Sequence, residues 1–93
     1  MLTKWGMIFK GNGESTTFNQ SGLQTLVAGV EGVAEAILLA EKWAADGIQL
    51  IELCGWFGEE GADKIIDAVG DKVAIGYAVA CLLYTSPSPR DRG

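Results

Sequence analysis

Apolar positions along this chain repeat with two alternating periods, and the switches between them mark out its elements. In Lys4–Lys10, Trp5, Met7 and Phe9 alternate with Gly6 and Ile8, the period-two signature of a strand. Residues 11–22, GNGESTTFNQSG, are polar and glycine-punctuated, which predicts a loop or a weak helical turn. Alternation returns over Leu23–Val30, where Leu26, Ala28 and Val30 interleave with Thr25, Val27 and Gly29, giving a second strand. From Gly32 to Asp46 the period lengthens: Val33, Ile37, Ala40 and Ala44 share one helical face, with Leu38, Glu41 and Ala45 beside it, and Gly47 supplies the stop. Ile48–Cys54, IQLIELC, is the most continuously apolar run, as a central parallel strand requires. After a GWFG turn, Ala62, Ile65, Ile66 and Val69 place a second helix over Glu59–Val69. A fourth strand follows over Lys72–Ala80, with Val73, Ile75, Tyr77 and Val79 on one side and only small residues on the other.

From Leu23 onward the order is β-α-β-α-β, the pattern of parallel strands joined by helical crossovers. The link from the first strand to the second, about twelve residues, is near the minimum for a parallel crossover, so that pairing is open between parallel and antiparallel. The expected fold is α/β: a small, mostly parallel four-stranded sheet with flanking helices, β-loop-β-α-β-α-β, as a single domain over residues 1–80.

Composition breaks near residue 80. All prolines and arginines (Pro87, Pro89, Arg90, Arg92) fall in the last thirteen residues, whereas the first eighty use lysine alone. Residues 81–91, CLLYTSPSPRD, resemble one reading frame of a transposase adapter used in sequencing-library preparation. The alternative is a polar C-terminal tail. On the adapter reading the natural sequence is interrupted after about Ala80, Cys81 and Tyr84 carry no biology, and residues 81–93 form a loosely packed or disordered tail.

Seven Lys and Arg against twelve Asp and Glu give the 93-residue chain a net charge of −5, which argues against nucleic acid or an anionic membrane as partner. There is no histidine, so Ser-His-Asp and Cys-His catalysis and histidine metal ligation are absent from the chain as it stands. Two cysteines without a CxxC pair make no disulfide framework and no metal motif. No run approaches the ~20 apolar residues of a membrane span, and the N-terminus lacks a signal-peptide core. A cytoplasmic protein without metal or cofactor is the expectation.

The segments KWGMIFKG, TLVAGV, DGIQLIELCGWFGEEGADKIIDAVG and KVAIGYA resemble a small bacterial group, domain-of-unknown-function family 6506. The resemblance covers about residues 4–80 and is most specific at ELCGWFGEEGA. It implies a strand–helix–strand body with a glycine-rich turn after ELC and a continuation past the GY of the fourth strand, where this chain departs. The group has no assigned activity, so the resemblance implies no catalytic residue.

Candidate chemistry gathers at the carboxyl ends of the predicted strands, where α/β sheets bind ligands. Glu52, inside IQLIELC, must be paired, protonated or near solvent, because isolated burial of its charge is costly. It is a candidate ligand contact or general base, or else a structural acceptor toward Lys10 or Lys4 or an oligomer contact. Cys54 ends the same strand; as a nucleophile it needs a lysine or a helix N-terminus beside it, and it otherwise packs as a small apolar group. Lys10 ends the first strand and completes a trio with Glu52 and Cys54, with Asn12 and Glu14 at the rim. The turn Gly55–Gly61, GWFGEEG, feeds a helix start, but its GxxGxxG spacing matches neither the Walker nor the dinucleotide pattern, and Glu59 and Glu60 repel phosphate. Gly55, Trp56, Phe57 and Gly58 are candidates to line a pocket, or else to cap the sheet edge.

Two functions follow as expectations. The first is small-molecule binding or a minor enzymatic role around Lys10, Glu52, Cys54, Trp56 and Phe57. The second is an interaction module whose apolar surface, including Trp43 and the edge strands, is covered in a homo-oligomer. A third possibility is a fragment of a larger (β/α) barrel.

Overall fold

The computed structural model describes residues 1–77. The expected tail at 81–93 and the end of the fourth predicted strand lie outside the described residues. The elements in order are β1 (Lys4–Lys10), β2 (Ser15–Gln20), β3 (Leu23–Val30), α1 (Val33–Ala45), β4 (Leu50–Leu53), a 3-10 turn (Gly55–Phe57), α2 (Gly58–Val69) and β5 (Ala74–Tyr77). They build an α/β fold around one five-stranded mixed sheet of order β2-β3-β1-β4-β5.

Four strands were expected, and the fifth is β2, which occupies most of the predicted loop. Its six residues, STTFNQ, are all exposed, so no buried face imposes an alternating apolar pattern. The hairpin is made instead by its turn. Gln20 pairs with Leu23 across Ser21-Gly22, whose φ angles are 53° and 86°. Two successive positive values are what a two-residue turn needs if the strands on either side are to keep their right-handed twist. β2 therefore runs antiparallel to β3, while β1 pairs in parallel with β3 on one side and β4 on the other, and β4 in parallel with β5.

This order overturns the barrel possibility. In a (β/α) barrel consecutive strands are neighbours. Here β3 and β4, consecutive in the parallel series, are separated by β1, which α1 must cross.

Both helices cover the same face of the sheet. That face presents Gly6 and Ile8 from β1, Ala28 and Val30 from β3, and Ile51 and Leu53 from β4. Against it α1 buries Ala36, Ala40 and Trp43, and α2 buries Gly61, Ala62, Ile65 and Val69. The buried stripe of α1 is thus centred on Ala36, Ala40 and Trp43 at i, i+4 and i+7, turned from the face predicted through Val33, Ile37 and Ala44, which pack at its margin. Trp43, expected on an exposed apolar surface, is 6% exposed and belongs to the core. Gly6 makes room for it: a Cβ there would overlap the indole ring and stand 3.0 Å from Ile48 Cδ1.

Among the described residues, no helix lies on the other face of the sheet. Trp5, Met7 and Phe9 of β1, Val27 of β3 and Leu50 of β4 lie there, and none of them packs against the main core. No helix among the described residues is long and apolar enough to cross a membrane.

Candidate functional site

All four parallel strands end at one edge of the sheet, and the loops leaving that edge carry most of the polar chemistry. The chain leaves β1 outward, past β3, to reach β2, whereas it leaves β3 into α1 and crosses to β4 on the opposite side of β1. A pocket of about 350 Å³ lies beside the carboxyl end of β3, lined by Asn12 and Glu14 of the β1–β2 loop, Val30 and Glu31 at the end of β3, and Glu35 and Leu39 of α1.

Glycines shape its wall. The amide of Gly11 donates to the Val30 carbonyl at 2.8 Å and that of Gly13 to the Gly29 carbonyl at 3.1 Å, while the Gly29 amide donates to the Glu14 carbonyl at 2.8 Å. These bonds fold the loop back onto β3. A Cβ at Gly29 would stand 3.0 Å from the Gly11 Cα and press on the Glu14 carboxylate, so only glycine permits this approach. Glu14 Oε1 accepts the Asn12 amide at 2.5 Å. Backbone donation from its own amide and from Asn12, with a smaller contribution from the positive charge of Lys10, holds the exposed Glu14 carboxyl below its ordinary value of 4.5.

At the start of α1, Gly32 is extended and offers no side-chain cap. Glu35 Oε1 instead accepts the Glu31 amide at 2.7 Å, so a carboxylate already occupies the positive end of the helix. Glu14, Glu31 and Glu35 make the pocket acidic at its polar end, and Val30 and Leu39 give it an apolar wall. Among the described residues, no group of three or more His, Cys, Asp or Glu is arranged to hold a metal ion.

The model of a family of unknown function, DUF6506, matches residues 3–82. The chain belongs to DUF6506. No curated protein and no solved structure matches it.

In this DUF6506 chain the residues singled out from sequence divide between two faces. Lys10 shares the helix-covered side of β1 with Ile8, and its Nζ lies 5.5 Å from the centroid of the Trp56 ring, within cation–π range. Trp56 is largely exposed and meets Phe57 edge-to-face at 5.2 Å, while Phe57 is buried in the core. Gly55 begins the 3-10 turn, and Gly58 opens α2 with φ at 70°. Cys54 is a half-buried free thiol packed against the core. Glu52 lies on the open face, paired in register with Met7 and Gly76, its carboxylate folded over the Gly76 backbone. Lys10 and Glu52 therefore stand on opposite sides of the sheet, and the trio with Cys54 does not converge. Lys10 is brought instead toward Glu14. Asn12 and Glu14, placed at the rim from sequence, line the pocket, whereas Glu31, Glu35 and Leu39 were not singled out. The VEG junction between strand and helix, with a carboxylate four residues on, is the local signal that marks Glu31 and Glu35.

Proposed function

We propose that this chain binds a small ligand in the carboxyl-edge pocket between β1, β3 and α1, and that the ligand carries a positively charged group, such as a primary amine, on a short apolar body. The carrying observation is the pocket of about 350 Å³ between the β1–β2 loop, the end of β3 and α1, a volume within the usual range for small-molecule sites. Three glutamates at one end favour a cation by Coulombic attraction, and Leu39 with Val30 accommodates methylene or ring carbons. A phosphate or carboxylate ligand is disfavoured, because Glu35 already satisfies the start of α1 and neighbouring carboxylates repel a second anion.

Thermal unfolding of the full chain against matched panels of small primary amines and small carboxylic acids tests this. A ligand present at about 100 times its Kd adds about 2.7 kcal/mol of stability, an easily read shift. Amines are expected to raise the melting temperature, Glu31→Gln to weaken that effect at least about tenfold, and Glu52→Gln, on the opposite face, to leave it intact. Stabilisation by acids alone, by neither panel, or lost with Glu52→Gln rather than Glu31→Gln refutes the assignment.

A further inference from the structure

Among the described residues, the open face of the sheet is an apolar feature that the pocket does not use. Its middle row runs Thr16, Val27, Met7, Glu52, Gly76 across the five strands, and the next row runs Phe18, Thr25, Trp5, Leu50, Ala74. Met7 at its centre is 37% exposed, and Phe18 at the β2 edge is 57% exposed. Strands ~4.8 Å apart and four to eight residues long give a plan area of about 500 Å². Two such faces together offer about 1,000 Å², the size at which specific interfaces begin.

The face is asymmetric in a way that complements itself. One edge carries a bulky side chain, Phe18, and the other carries only Ala74 and Gly76. A two-fold axis parallel to β1, lying between two facing sheets, exchanges those edges: β1 stacks on β1, and Phe18 of each copy falls over Ala74 of the other. Glu52, the one charged side chain in these two rows, is then carried over β3 of the second copy, where the Thr25 hydroxyl and, one strand further, that of Thr16 are available as donors. An axis across the strands would instead stack β4 on β4 and bring the two Glu52 carboxylates together, at a like-charge penalty.

We propose that this face is closed by a second copy of the chain, in a two-fold dimer whose axis follows β1 and whose register is set by Phe18 seating over Ala74. The dimer is isologous, each copy giving and receiving the same contacts. Its two contact rows contain none of the pocket-lining residues.

Sedimentation equilibrium of the full chain reads the association directly. The expected result is a species of twice the chain mass that Met7→Lys converts to monomer. Ala74 is exposed, so Ala74→Phe leaves the monomer fold and its circular dichroism unchanged, yet it fills the space that Phe18 needs and is expected to weaken association at least about tenfold. Adding Phe18→Ala restores the dimer. A chain that is monomeric at all concentrations overturns the proposal, and if Met7 in that monomer resists peroxide oxidation, the chain's own terminal residues cover the face instead. A dimer indifferent to Met7→Lys overturns the surface, and one indifferent to Ala74→Phe overturns the axis.

Discussion

Replacing Gly6 by alanine adds a single methyl group at the most tightly constrained point of the core. Gly6 sits in mid-β1 on the helix-covered side, between Leu26 of β3 and Ile51 of β4, with Trp43 of α1 lying against it. The new Cβ would stand 2.8 Å from Trp43 Cε3 and 3.0 Å from Ile48 Cδ1. Unstrained carbon contacts fall near 3.5–4.0 Å and Trp43 Cζ3 stands nearer still than Cε3, so the ring must retreat by about 1 Å or more. It has little freedom to do so, since Trp43 and Ile48 are both buried. Overpacking of this kind costs about 1–3 kcal/mol, offset by roughly 0.5–1 kcal/mol from the lower chain entropy of alanine in a strand. A net loss of about 1–2 kcal/mol is expected, or about 4–16 °C in melting temperature for a domain of this size. Urea unfolding followed by circular dichroism measures it. Trp43→Phe removes part of the ring that collides, so the cost of Gly6→Ala in that background should fall by at least about 0.5 kcal/mol. A neutral or stabilising Gly6→Ala, or an equal cost in both backgrounds, refutes the packing argument.

Other expectations follow from single contacts. Glu14→Gln removes a carboxylate whose pKa is lowered in the folded state, so the advantage of the native residue is fully present above its ordinary value of 4.5 and lost as pH falls through the lower folded value. Urea titrations of both proteins across the acid range should therefore differ most at about pH 7, with the difference shrinking as the pH falls below 4.5. Gly22→Ala forces a side chain onto φ 86° in the β2–β3 turn and is expected to cost about 1 kcal/mol, read by thermal melting, whereas a stabilised hairpin would contradict the turn assignment. Ile51→Ala empties a fully buried site on β4 and should cost about 2–5 kcal/mol in the same assay; a loss under about 1 kcal/mol would mean that the site collapses freely.

Much of this fold is legible along the chain. The helices and four of the strands fall where the apolar period changes, and Gly47 and Gly70 follow the helix ends as expected. The hairpin strand β2 escapes the hydrophobic pattern because none of its residues is buried, although Ser21-Gly22 between a Thr-Thr-Phe run and LQTLVAGV carries the signal of a two-residue turn. For the site, the carboxyl edge and the residues Asn12 and Glu14 are legible, since glycines cluster after β1. Glu31 and Glu35 become part of the pocket only through the fold-back of the β1–β2 loop onto β3, which depends on Gly29, more than ten residues away from that loop.

What the sequence determined by itself is local: the element boundaries, the alternation that puts Trp5, Met7 and Phe9 on one side of β1 and Gly6 and Ile8 on the other, the acidic balance and the turn chemistry. Each follows from side-chain period or backbone φ within a few residues. Tertiary structure alone decided which side of β1 is covered. The side with the larger side chains is the open one, because Trp43, 37 residues further along, needs the space that only Gly6 leaves. That choice, made by contact between distant residues, also sends Glu52 to the face opposite the helices and leaves Lys10 beside Trp56.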